Sequence, residues 1–318
     1  MKHFIITGDT GSGSIDQYKV SHSMIKLIQK KPIKSIILLG DNIYENGCNS
    51  IHDKKFITKF EKPYQYIDKP FYLCLGNHDY GLSYNPLQKD FLKDNSQIQI
   101  DYSKHSHKWN MPAKYYNVIE PPCEFFFIDT NFNVLSQSFK IKQFNDIQNM
   151  IFNSQQKWKI LCGHHTFRSV GGHGNCDTSF QKFMDELLLK KGVHIHLYMC
   201  GHDHCKSIIK TKINNKNLIN LVIGTGGKEY NKKKFYLKNM KKDNSKLLFF
   251  SPNLGICHLE ASMKTLKLTC YNDELIEEYS FSLSKNISSK NISSRHKSSR
   301  HRKSRHKSSR HRKSKSIL

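Results

Sequence analysis

The 318-residue chain has no apolar run approaching the roughly 20 residues that a membrane-spanning helix needs, so no such span is expected. Its start, Met1-Lys2-His3, runs straight into Phe4-Ile5-Ile6-Thr7-Gly8-Asp9, and lacks the apolar core and small-residue cleavage site of a secretory signal. No Cys-x-x-Cys pair occurs among the nine cysteines, and their number is odd. Cys74, Cys162, Cys200, Cys257 and Cys270 fall inside apolar strand-like runs, which points to reduced, buried thiols. Together these absences predict an intracellular protein, in which the sequons at Asn286 and Asn291 stay unmodified.

Acidic residues are missing altogether from Ser284 onward, where 13 Lys or Arg stand without one Asp or Glu. That segment supplies 13 of the +25 formal charge, and 38 basic against 26 acidic residues leave the remainder at +12. Apolar residues are also absent between Ile292 and Ile317, so the segment can bury no core and is predicted to be disordered. Within it Ser294–Lys303 reads Ser-Arg-His-Lys-Ser-Ser-Arg-His-Arg-Lys, and residues Ser304–Lys313 repeat it letter for letter. The chain is accordingly divided into a folded body, 1–283, expected to be monomeric, and a basic tail, 284–318.

What the body does have is apolar runs that end in glycine followed by a polar residue. Ser35-Ile36-Ile37-Leu38-Leu39 reads as a buried strand that delivers Gly40-Asp41-Asn42-Ile43-Tyr44 to its C-terminal end, where ligands sit in open α/β sheets. Other runs end at Gly8-Asp9-Thr10-Gly11, Gly76-Asn77-His78-Asp79, Gly163-His164-His165 and Gly201-His202-Asp203-His204. Between them, periodicity predicts helices over about 16–30, 54–60, 140–153 and 179–190, the third with Ile141, Phe144, Ile147, Ile151 and Phe152 as its core stripe. A strand is expected over His194–Cys200, with His194 and His196 packing on one of its faces rather than ligating. From Lys206 to Ser282 only strands are expected. The fold class is therefore α/β (α+β): an α/β first part and a β-rich second part of one sandwich-like domain flanked by helices. The lysine clusters 232–234 and 241–242 read as a solvated loop.

A lone histidine after a strand is usually structural, but five glycine-preceded sites at strand ends are a different matter. Together they offer Asp9, Asp41, Tyr44, Asn77, His78, His164, His202 and His204. In an extended segment His202 and His204 share a face, so both can reach one centre. Imidazoles, carboxylates, an amide oxygen and a phenolate, without clustered thiols, suit Zn, Mn or Fe rather than a structural cysteine–zinc site. Asp41 has two oxygens and could bridge two cations. Two ions about 3.5–4 Å apart hold a phosphoryl group, acidify a water and neutralise the attacking and leaving oxygens, which is the chemistry of hydrolysis.

The five motifs resemble those of the calcineurin-like metallophosphoesterase superfamily, and more narrowly the purple acid phosphatases of the small, tartrate-resistant type. Tyr44 carries the narrower resemblance, since the Ser/Thr protein phosphatases of the superfamily lack that ligand. Trp109-Asn110-Met111-Pro112 and His173-Gly174 are also similar to stretches of the small members. The resemblance covers about Met1 to Ser282. It implies that Asp9, Tyr44 and His204 hold Fe(III), that Asn77, His164 and His202 hold Fe(II), Zn or Mn, and that Asp41 bridges them. It further implies that His78 donates the proton to the leaving oxygen and that His173 lines the phosphate pocket. His165-Thr166 departs from the aromatic and proline usual at those positions, the segment 130–139 is shorter than the loop over the site in vertebrate members, and Cys176 has no disulfide partner.

The expected function is hydrolysis of phosphomonoesters by a dinuclear acid phosphatase, with a phosphodiesterase or nucleotide hydrolase as the alternative within enzymes. A reading from another class makes the chain a nucleic-acid-binding protein acting through the tail. Arg295, Arg300, Arg302, Arg305, Arg310 and Arg312 would then neutralise phosphates without reading sequence, and could direct the protein to a nucleus or nucleoprotein particle.

Overall fold

Apolar runs alternating with amphipathic helices produce parallel strands with crossover connections, and the hairpins that follow extend the same sheets antiparallel. The computed structural model describes residues 1–81, 94–228 and 245–284. In chain order, β1 (Lys2–Thr7), α1 (Ile15–Lys30), β2 (Ile33–Leu38), α2 (Lys54–Phe56, prolonged by a π-helical turn Ile57–Glu61) and β3 (Phe71–Leu73) come first. Next come α3 (Ser96–Asp101), β4 (Trp109–Asn110), β5 (Tyr116–Glu120), β6 (Cys123–Phe127), α4 (Gln137–Asn153), β7 (Trp158–Cys162), α5 (Thr178–Leu189) and β8 (Leu197–Cys200). The last part holds β9 (Lys206–Ile213), β10 (Lys216–Ile223), β11 (Lys246–Ser251), β12 (Gly255–Ala261), β13 (Thr265–Asn272) and β14 (Glu277–Ser284).

The strands form two mixed sheets, ordered β14-β13-β12-β1-β2-β3-β4 and β11-β9-β10-β8-β7-β6-β5. In the first, β1 to β4 are parallel, and β12 joins β1 antiparallel. In the second, β6, β7, β8 and β10 are parallel. The inner faces meet in the core, where Phe4 of β1 packs edge-on against Phe125 of β6 with ring centroids 5.0 Å apart. Helix α1 buries Val20, Met24 and Leu27 on one face, with Asp16 in its first turn and Lys30 in its last, the order that favours the helix dipole. Helices α4 and α5 start at Ser136 and Asp177, whose side chains accept the N–H of Phe139 and Phe180.

Two expectations need correction. Helix α4 buries Gln143, Ile147 and Ile151, while Ile141 and Phe152 are half exposed. Gln143 takes the inward place because its amide closes on the backbone of Asp129, accepting its N–H at 2.8 Å and donating to its carbonyl at 3.0 Å. Strand β8 begins only at Leu197, so His194 and His196 precede it. His196 still packs, with its ring 5.1 Å from Trp158 and Nδ1 accepting the Lys159 N–H at 3.1 Å.

All nine cysteines are described, as free thiols, and all but Cys176 are buried. Among the described residues no helix is long and apolar enough to cross a membrane. Strand β14 runs to Ser284, the residue at which the tail was expected to begin. The two lysine clusters, both sequons and the six tail arginines lie outside the described residues.

Candidate metal centre

The strands β1, β2 and β3 of one sheet and β7 and β8 of the other all point their C-terminal ends at one place. Asp9, Asp41 and His202, each directly after a glycine, take φ of 57°, 52° and 69°. Such left-handed backbone is uncommon for residues with a Cβ and persists only where the surroundings enforce it. The preceding glycines permit close approach of the strand ends. A Cβ on Gly40, itself at φ 83°, would lie 2.6 Å from Nδ1 of His164, and one on Gly201 would lie 2.3 Å from Oδ2 of Asp9. The segment carrying His202 and His204 is thus a bend rather than an extended strand. His202 is turned inward because its backbone N–H donates to Oδ2 of Asp9 at 2.8 Å.

All seven residues expected as ligands meet here, in two clusters. Around Asp9, the Tyr44 hydroxyl donates to Oδ1 at 2.8 Å, and Nε2 of His204 lies 3.3 Å from that hydroxyl and 3.4 Å from Oδ1. Around His164, Nε2 lies 3.1 Å from Oδ1 of Asn77, 3.2 Å from Nδ1 of His202 and 3.4 Å from Oδ1 of Asp41. Donor atoms of Asp9, Asp41 and His164 come within 4.8 Å of one another, which joins the clusters. Ligands bound about 2.0–2.2 Å from one ion lie about 3 Å apart, so these separations fit two coordination spheres. His164 Nδ1 donates to the Leu39 carbonyl at 2.8 Å, so Nε2, the atom that faces the cluster, is the nitrogen that can give up its proton to a metal ion.

The electrostatics fit cations as well. Burial alone would raise the Asp41 pKa, yet His164 beside it, with His78 and His202, holds the carboxyl well below the usual range. Burial likewise disfavours the His164 cation, but Asp41 raises its pKa to about 10. The Tyr44 phenol is pushed well above its ordinary value, first by burial and then by Asp41 and Asp9. Burial and the neighbouring His165, His164 and His173 push His202 well below its own, so its ring is neutral and ready to ligate.

His78 and His173 stand at the rim. The His78 ring lies 4.5 Å from that of Tyr44, with Nε2 3.9 Å from Oδ2 of Asp41 and a side chain 29% exposed. The His173 ring packs at a tilt of 31° against His202, their centroids 4.0 Å apart.

Four further residues, beyond the expected ligands and rim histidines, shape the site. The carboxylate of Asp79 accepts the N–H groups of Asn42 at 3.0 Å, Ile43 at 3.1 Å and Gly76 at 2.8 Å and the amide of Gln99 at 2.7 Å, tying two of the loops together. Burial, and then the charge of Asp41, raise its pKa to about 6. Asp203 accepts the N–H of His173 at 2.8 Å and the hydroxyl of Ser169. His165 packs 4.6 Å from His202, its pKa lowered to about 3 by burial and by His164. Lys228 lies 3.6 Å over the Tyr44 ring and pairs with Glu45 at 2.8 Å, which places a cation at the mouth of the site. Asp79, His165 and Asp203 lie inside the glycine motifs, so position was the available signal; Lys228 carries none.

Residues 2–206 match the family described as calcineurin-like phosphoesterase. The chain is 29% identical over 237 residues to Purple acid phosphatase 3 of Arabidopsis thaliana, covering 71% of this chain and 63% of that protein. It is 32% identical over 224 residues to Purple acid phosphatase 17 of the same plant, covering 64% and 62%. The chain therefore spans just under two thirds of the length of these relatives. Among solved structures, GAP50, described as the anchor in the inner membrane complex of Plasmodium, superposes with a TM-score of 0.71 at 20% identity, over 89% of this chain and 88% of that one, a likeness of fold.

Proposed function

The chain belongs to the calcineurin-like phosphoesterase family, and from that premise we propose that it hydrolyses phosphomonoesters at a dinuclear metal centre. The observation that carries the reading is the meeting of seven donors from five strand ends in two clusters with spacings of 2.8–3.4 Å. Asp9, Tyr44 and His204 would hold one ion and Asn77, His164 and His202 the other, with Asp41 between them. A phenolate and a carboxylate favour Fe(III) in the first position, and the neutral donors of the second favour Fe(II), Zn or Mn. When bound, the two cations supply Lewis acidity toward the phosphoryl oxygens and an acidified water.

The chain's own residues do the rest. Asp79, through the backbone N–H groups it accepts, fixes the loops that carry Asp41 and Asn77. His164 is held in one tautomer by the Leu39 carbonyl. His78 reaches the rim with its Nε2 toward Asp41 and a face open to solvent, which suits it to protonate the departing alkoxide oxygen. His173 and His165 offer ring nitrogens, and Lys228 a positive charge, where the anionic ester would enter.

The test is the absorption spectrum of the purified, oxidised chain alongside its turnover. Charge transfer from the Tyr44 phenolate to Fe(III) gives a visible band, and Tyr44→Phe removes it while the metal stays measurable. An active wild type that contains only colourless divalent ions overturns the iron–phenolate reading. Turnover of a bis-ester exceeding that of a monoester at equal concentration overturns the substrate class.

A further inference from the structure

A second group of metal-ligating side chains lies at the other end of β1. In the antiparallel pairing of β1 with β12, His3 stands opposite Glu260 and Ile5 opposite His258. His258 and Glu260 are two residues apart on β12, so His3, His258 and Glu260 all project from one face of the sheet. His3 is six residues from Asp9, about 20 Å along an extended strand, so this group shares nothing with the centre described above.

In metal-free terms the three side chains make one hydrogen bond among them, and the carboxylate joins neither ring. Nδ1 of His3 lies 3.1 Å from Nε2 of His258, and the rings stack at 5.2 Å and 18°. Glu260 stands off at 3.7 Å from His3 Nδ1 through one oxygen and 3.9 Å from His258 Nδ1 through the other, too long for hydrogen bonds at either. His258 is fully buried, and its Nδ1 has no hydrogen-bond partner among the described residues. An unsatisfied buried nitrogen in a native core calls for an explanation. Burial disfavours the charged form of both rings, which keeps their lone pairs free.

One donor atom from each residue can be chosen so that all three lie within 4.8 Å of one another. The 3.1 and 3.7 Å separations bracket the distance of about 3.3 Å between two ligands of one tetrahedral ion held about 2.0–2.1 Å from each. We propose that His3, His258 and Glu260 form a site for a single divalent transition-metal ion of the zinc class, clamping the first strand of the chain to β12. Two imidazoles and one carboxylate are a donor set that zinc accepts with a further position open to water. Lys267, 3.4 Å from Oε2 of Glu260, competes for that carboxylate in the absence of metal.

The experiment strips metal from the full-length wild type and from His3→Gln and Glu260→Gln, then adds Zn(II) alone and counts bound ions per chain. Wild type should bind one ion more than either variant, and the melting temperature should rise with zinc by more in wild type than in the variants. Glu260 is only partly buried, so Glu260→Gln preserves the fold and decides the matter if His3→Gln does not fold. Equal ion counts in wild type and Glu260→Gln overturn the proposal and leave a histidine hydrogen-bonded pair. Turnover on a phosphate ester should be the same in all three. If the dinuclear reading fails, the counts fall together in every protein and the difference of one ion remains.

Discussion

The two ends of β1 present two ways of gathering ligating side chains. At the Asp9 end every donor sits on a turn just past a strand. Three of those donors occupy left-handed backbone, and an outer layer of hydrogen bonds centred on Asp79 and Asp203 holds the turns in place. At the His3 end the donors occupy regular strand positions, two strands suffice, and a nitrogen is left without a partner. The difference teaches where precision comes from. A centre assembled from five loops owes its geometry to groups that touch no ligand, whereas one built on the pleat of a strand pair owes it to the sheet itself. Damage should therefore spread inward at the first end and stay local at the second.

The largest effect is expected from Asp41→Asn, which removes the charge shared between the two clusters. It should abolish turnover and lower metal content, measured by steady-state kinetics and elemental analysis on the same sample; near-wild-type activity would break the picture of a shared carboxylate. Next comes His78→Ala, expected to lower turnover of alkyl phosphates by about 10²–10⁴-fold. It should largely spare nitrophenyl phosphate, whose leaving group needs no proton. Equal losses on both substrates would remove His78 from the donor role. Asp79→Asn sharpens the comparison most, because Asp79 is not among the proposed ligands. An amide keeps one acceptor oxygen and puts an NH2 in place of the other, so it cannot accept all the N–H groups that converge on both oxygens, and metal affinity should weaken by about 10–100-fold, as for other outer partners of metal ligands. Unchanged affinity would show that the turns hold themselves.

The smallest effect is a pH dependence of the metal-stripped protein. The His164 pKa is raised from its ordinary 6.5 to about 10 in the folded state, so the fold binds more protons than the unfolded chain between those values. The stability from the His164–Asp41 pair is thus present in full below about 6.5 and lost as pH climbs toward 10. The urea midpoint should fall across that window, and His164→Asn should flatten the fall.

Much of the Asp9 end could be read in the sequence because its signal is local. An apolar run, a glycine and a polar residue are neighbours in the chain, and the same pattern recurs five times. The reason given for His202 and His204 was nonetheless wrong, since they converge through a bend. Asp79 and Asp203 were overlooked because their partners are backbone N–H groups, which no residue type advertises. Gln143 shows the same blindness in the core, where hydrogen bonds to the Asp129 backbone outweigh the apolar stripe that included Ile141. The His3 end gave no signal at all, because 255 residues separate His3 from His258 and only the pairing of β1 with β12 unites them.

The most direct test of the account is a crystal structure of the metal-loaded chain with anomalous difference maps collected at the absorption edges of the bound metals. Two peaks about 3.5–4 Å apart on either side of the Asp41 carboxylate are expected, one against Tyr44 and the other against Asn77. A single peak, or two that leave Asp41 unbound, in a crystal of active protein would contradict it.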